Sequence, residues 1–234
     1  MDEYELDLAG QARLEEYLEW IGAILGSDQR RASFATYFMG LVADGHRKSM
    51  EPIASRSRPD PRRVGAEHQR IQQFVTDSNW SDRLVRRAAA AYALQALEAR
   101  GDVEYWIIDD TGFLKQGKHS VGVKRQYTGS AGKVANCQVG VSLTVATDCD
   151  HLPIDFELYL PHDWTDDPMR RREAKIPDEI EFKTKHELAL QMIDRAIEDG
   201  IPKGRVLADA AYGVSSRFRR EVGSVKNFLY GTAV

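Results

Sequence analysis

Apolar positions recur every three or four residues through the first hundred positions of the chain. Leu14, Tyr17, Leu18, Ile21, Ile24 and Leu25 fall on one helical face, and Phe34, Tyr37, Phe38, Leu41 and Val42 repeat the pattern. Residues 50–57 predict a short helix that the prolines of SRPDPRR break, and residues 68–76 predict another. Ser81 stands where an N-cap belongs, ahead of a helix to about Glu98, and Gly101 closes the helical block.

Beyond Gly101 the period changes to two. Val103, Tyr105, Ile107 and Ile108 make a short strand that ends at two acids. Residues 121–127 alternate, TGSAG turns the chain, and 134–147 read as a long strand with Val139, Val141, Leu143 and Val145 on one face. Residues 153–160 are a further extended run, so three strands are expected to form an antiparallel meander. A loop rich in charge and proline covers 161–185. Residues 187–199 are an amphipathic helix closed by Gly200, 205–209 a short apolar strand ending in an acid, 215–222 a helix and 225–230 a last strand. The fold class is α/β: a helical N-terminal domain over 1–100, then an α/β domain over 101–234.

Composition narrows the function classes. A chain of 234 residues, 42% hydrophobic, can bury one large core or two small ones. No run approaches the ~20 apolar residues of a membrane span, and MDEYELDLAGQ lacks the basic start and apolar stretch of a signal peptide. A soluble, cytoplasmic protein is expected. The net charge of -4 argues against a simple nucleic-acid binder, but it is unevenly spread. Residues 1–31 hold eight acids and three arginines, net -5. Residues 44–100 hold eleven bases and seven acids, net +4. That basic stretch fits either solvated helix faces or a phosphate-contacting surface. Cys137 and Cys149 belong to no C-x-x-C pair and read as buried free thiols rather than a zinc site.

The candidate chemistry lies in acids that end strands. Asp109 and Asp110 follow WII, and Asp209 follows VLA. In open α/β sheets, ligand-binding and catalytic groups collect at strand ends. Carboxylates brought together there repel and raise each other's pKa, a conflict that a hard divalent cation removes. Two such ions ~4 Å apart can activate an attacking oxygen and stabilise a leaving one. Acids at strand ends also cap helices and turns, and spacing alone leaves both readings open. The other candidates are weaker. GSAGK (129–133) lacks the spacing of a phosphate loop and reads as a turn. His119, His151, His162 and His186 show no ligand spacing, and Asp166-Asp167 fits an N-cap or a loop charge pair.

Several long motifs, in order, carry a resemblance: DDTGFLKQGKHSVGVKRQYTGSAGKVANCQVGV, LYLPHDWTDD, TKHELALQMIDRA and VLADAAYG. Together they resemble the DDE transposases of bacterial insertion sequences, specifically the insertion-sequence 701 type of the insertion-sequence 4 superfamily. The resemblance spans roughly 34–221. It implies a ribonuclease-H-like core of three antiparallel strands, a helix, then a strand bearing the second acid, which is the order read above. It also implies an Asp-Asp-Glu set holding two Mg²⁺ ions, or Mn²⁺, for DNA hydrolysis and strand transfer. Asp109 matches the first position and Asp209 the second. Asp110 lies where relatives also carry Glu, and it is expected to shape the turn into Thr111-Gly112 rather than to bind metal.

In the family the third acid lies on a helix well beyond the strand that follows Asp209. The sequence ends at FLYGTAV, and Glu221 is too close to Asp209 to serve. The core is therefore expected to be incomplete, inactive in transposition by itself, and to leave apolar groups of one sheet face exposed. The partners implied are DNA, both terminal inverted repeats and target, together with self-association. A second class is a non-catalytic module whose helical part occupies insertion-sequence ends or modulates full-length transposase. A third is a different metal-dependent phosphohydrolase acting on small phosphates.

Overall fold

The computed structural model describes residues 7–58, 60–224 and 230–232. The chain forms two compact units, Met1–Tyr92 and Ala93–Val234.

The first unit is helical: α1 (Leu8–Leu25), α2 (Asp28–Val42), α3 (Met50–Ser57), α4 (Pro61–Thr76) and α5 (Asp82–Glu98), the last continuing past Tyr92. Pro61 opens α4 rather than breaking it: its missing N–H is one that a first turn leaves unpaired anyway, and Asp60 caps the helix by accepting from Arg62 N. The helix therefore starts seven residues before the apolar period predicts. Ile21, Leu25, Phe74 and Ala88 form one core cluster and Ile53, Ala54 and Ile71 another. The buried Glu67 is held by Arg58 at 2.7 Å and Arg70 at 3.2 Å.

The second unit is built on one mixed sheet. Its strands are β1 (Tyr105–Leu114), β2 (Lys124–Thr128), β3 (Lys133–Ala146), β4 (His151–Tyr159), β5 (Arg205–Ala208) and β6 (Tyr230–Thr232). The order is β2-β3-β1-β5-β6, with β4 also paired to β3. Strands β1, β3 and β4 run antiparallel, whereas β5 lies parallel to β1 and β6 parallel to β5. This is the arrangement of a ribonuclease-H-like core. The last strand predicted at 225–230 lies mostly outside the described residues.

Between β4 and β5 the chain forms α6 (His162–Thr165), α7 (Pro168–Glu173) and α8 (Lys185–Glu198), with α9 (Ala210–Gly213) and α10 (Ser216–Ser224) after β5. The segment read as a loop is thus ordered: Asp167 caps α7 by accepting from Met169 N and Arg170 N, and Asp166 pairs with His162. Alternation sets the buried face. Cys137, Val139, Val141, Leu143 and Val145 of β3 point one way and are covered by α8 through Leu188, Ala189, Met192 and Ile193. Gly204 brings β5 against β1, because a Cβ there would lie 2.6 Å from the Glu104 carbonyl carbon. Of the two thiols, Cys137 is buried as expected. Cys149 is exposed, because it lies in the turn after β3 and not in a strand. Among the described residues, no helix is long and apolar enough to cross a membrane.

Helix α8 starts with a reciprocal cap: Thr184 Oγ1 accepts from Glu187 N, and Glu187 accepts from Thr184 N at 2.9 Å. These bonds hold the Glu187 carboxyl below the usual range. Replacing Thr184 with Ala should cost about 1 kcal/mol in urea unfolding at pH 7. Because the folded-state pKa of Glu187 is depressed, its contribution is present above the ordinary Glu pKa and is lost as pH falls through the lower folded value. The Glu187→Ala penalty should therefore shrink in melts run below about pH 4.

Candidate active site

Strand β1 does not end at its acids. All ten of its residues pair with β3, whose 14-residue length carries the ladder past Asp109 and Asp110 to Leu114. Its parallel pairing with β5 stops earlier, at Ile108↔Ala208. The next residue on β1 is Asp109, and the next after β5 is Asp209. The two acids therefore stand at the same level on neighbouring strands, ~4.8 Å apart across the sheet.

Consecutive strand residues point to opposite faces, and this separates Asp109 from Asp110. Trp106 and Ile108 are buried on the α8 side, so Asp110 shares their side and Asp109 the other. Asp110 accepts from Lys185 Nζ at 2.9 Å, at the first turn of α8. The expectation that Asp110 shapes a turn into Thr111-Gly112 is thus incorrect: strand pairing continues through it, and its carboxylate is neutralised by Lys185. Asp109 is exposed and accepts only from the N–H of Asp110, at 2.8 Å. Asp209 is exposed too. It caps α9 by accepting from Tyr212 N at 3.1 Å. Neither faces a cation among the described residues.

The Tyr212 side chain closes this corner. It is 2% exposed, and its ring packs against His186 and Phe218. Burial, then the negative charges of Asp110, Asp209 and Asp109, push its pKa far up. His186 Nε2 lies 3.1 Å from the carbonyl of Ala211, which ties α8 to α9. Glu221 is engaged by Arg217 at 2.7 Å on α10. Lys185 and Tyr212 went unremarked as single residues in the sequence, and His186 was noted only as lacking ligand spacing. Their signal is that TKHE and ADAAYG lie within the quoted motifs.

The arrangement suits a hard cation. Asp109 in β1 and Asp209 just after β5 each keep an uncommitted oxygen, and among the described residues no lysine or arginine pairs with them. Among the described residues, however, no three His, Cys, Asp or Glu side chains cluster as a complete metal site. Without metal, Asp109 and Asp209 repel. Neutralising one as Asp109→Asn should raise stability in EDTA by up to ~1 kcal/mol, the scale of two unit charges ~4 Å apart in water. Thermal melts of the two proteins check this.

The chain is 29% identical over 222 residues to a protein described as "Probable transposase for insertion sequence element IS701" from Microchaete diplosiphon. The match takes in 94% of this chain and 53% of that protein, so the chain spans about half the length of the curated relative. Residues 22–229 match the family described as DDE superfamily endonuclease. With most of its length inside that match, the chain belongs to the DDE superfamily endonucleases.

Proposed function

We propose that this chain carries part of the catalytic core of an insertion-sequence transposase of the 701 type, with Asp109 and Asp209 as its first two metal-binding carboxylates. The observation that carries this reading is the register: both acids directly follow the last parallel rung, Ile108↔Ala208, and neither has a cation partner. Members of this family generally use divalent metal. Mg²⁺, with Mn²⁺ as the alternative, would supply Lewis acidity and charge neutralisation at a scissile phosphate. Asp109 and Asp209 would hold it on the face away from α8. Lys185 keeps Asp110 on the α8 side, out of the ligand set. The Asp209 cap fixes that carboxylate at the start of α9. The partners are DNA, at terminal inverted repeats and target sites, and further copies of the transposase, in the cytoplasm.

A second reading is a module that holds insertion-sequence ends without cutting them. The eleven bases over 44–100 and the lack of a three-residue metal cluster among the described residues favour it. Binding to inverted repeats that weakens steeply with salt, with no cleavage in Mg²⁺, would select it.

The metal assignment is tested without activity. Metal at about ten times its Kd should stabilise the chain by ~1.4 kcal/mol in thermal unfolding. Asp109→Asn and Asp209→Asn should each abolish most of that gain. Equal stabilisation of wild type and both variants would remove Asp109 and Asp209 as ligands.

A further inference from the structure

From Thr111 to Thr147 the chain has no acidic residue, although its net charge is -4. That span holds Lys115, Lys118, Lys124, Arg125 and Lys133. Strand pairing shows which of its side chains share a face. Asp109 pairs with Ser142, Thr111 with Gly140 and Phe113 with Gln138 on β3. Arg125 pairs with Asn136 and Tyr127 with Val134 between β2 and β3. Paired residues point the same way, and so do every second residues along a strand. Asp109, Thr111, Phe113, Arg125 and Tyr127 therefore lie on one face of the sheet, opposite α8. The alternation carries Lys115 to the same side, its N–H continuing the ladder to the Asn136 carbonyl at 2.9 Å.

Two features of this face point to a ligand. Its rings are exposed: Phe113 is 55% and Tyr127 65% accessible. The Phe113 ring edge lies against Gly140, where a Cβ would come within 3.4 Å of its Cε2. Its cations are also uncommitted. Lys124 points to the α8 side and pairs with Asp163, whereas Lys115 and Arg125 face no carboxylate among the described residues. Open rings beside unpaired cations on a flat sheet are the elements of a single-strand platform, where bases stack on aromatics and phosphates meet the charges. A duplex already stacks its bases and leaves such rings nothing to cover. Phe113 lies four residues from Asp109, ~13 Å along the strand.

We propose that this face binds an unpaired DNA strand, with Phe113 and Tyr127 stacking on bases, Lys115 and Arg125 meeting phosphates, and the strand leading to Asp109. The proposal rests on the reading that DNA is the partner, but not on the metal. A symmetric contact between two copies of this face would set its cations against one another, whereas a nucleic-acid strand offers a phosphate for the charges and a base for the rings at each step.

The test uses the full chain in EDTA and fluorescence anisotropy with a fluorescein-labelled oligothymidylate, in parallel with a mixed-sequence duplex of equal length. Tyr127→Ala and Phe113→Ala should each weaken single-strand binding by about tenfold, with Tyr127→Phe close to wild type. Duplex binding should change less than about twofold, because rings that only stack on unpaired bases contribute little to it. Circular dichroism melts of the Tyr127 variants, altered at an exposed side chain, establish that folding is retained. Unchanged single-strand affinity, or equal losses on both probes, overturns the platform while leaving DNA binding in place. A wild-type chain that binds neither probe overturns both the platform and the DNA reading. Self-association of the wild type that Tyr127→Ala abolishes in sedimentation also overturns it, and makes the face an interface between copies.

Discussion

Two carboxylates held side by side with no cation against them is the constraint around which this corner of the sheet is organised. The backbone creates it. Strand β5 is four residues long and its parallel ladder with β1 stops at Ile108↔Ala208, so Asp109 and Asp209 emerge together where the pairing ends. Strand β3 is long enough to hold β1 rigid beyond that point. Asp109 therefore sits within a regular strand and Asp209 at the first position of a capped turn, and neither can easily move from the other. Repulsion that could relax in a loop is retained here.

The treatment of the other acids makes the contrast informative. Glu67 is buried between two arginines. Asp155, 9% exposed, meets Arg195 at 2.6 Å, and that arginine also takes Glu157 at 2.8 Å. Asp110, one residue from Asp109, is neutralised by Lys185. Burying a carboxylate is costly unless it is paired, and this chain pairs those it buries. Asp109 and Asp209 depart from that pattern where the parallel pairing of β1 with β5 ends, at the carboxyl end of β5, a place where α/β sheets collect their chemistry. An unfilled demand for positive charge there is an argument for a metal that sequence spacing alone could not make.

Much of the fold was legible because it rests on periodicity. The 3.6-residue pattern located α1, α2 and α8, and the two-residue pattern located β3, whose buried face is the one the alternation names. What escaped followed from contacts made elsewhere in the chain. The length of β1 is dictated by β3 and not by its own apolar run, so a reading confined to WII placed its end five residues early and turned Asp110 into a turn residue. Lys185 lies 75 positions from Asp110, and nothing local announces their pairing. Pro61 was taken as a breaker because its position relative to Asp60 decides whether it starts or ends a helix. In the site, Asp109 and Asp209 were legible as strand-end acids. The roles of Lys185, His186 and Tyr212 depend on how α8 and α9 meet.

The two faces of the sheet divide these tasks. The α8 side is closed: apolar contact is extensive there, Asp110 is paired with Lys185, and Tyr212 is buried. The other side carries Asp109 and, along the same strand, Thr111 and Phe113, so a ligand that reaches the acid must cross the residues that precede it on that face. A negative polymer approaching two uncompensated carboxylates would be repelled by them. The acid-free span after Asp110 offsets this, with Lys115 and Arg125 on the same face as Asp109. Segregating charge in this way along a single strand requires the alternation that pairing with β3 enforces. The same ladder that fixes Asp109 therefore also determines what lies beside it.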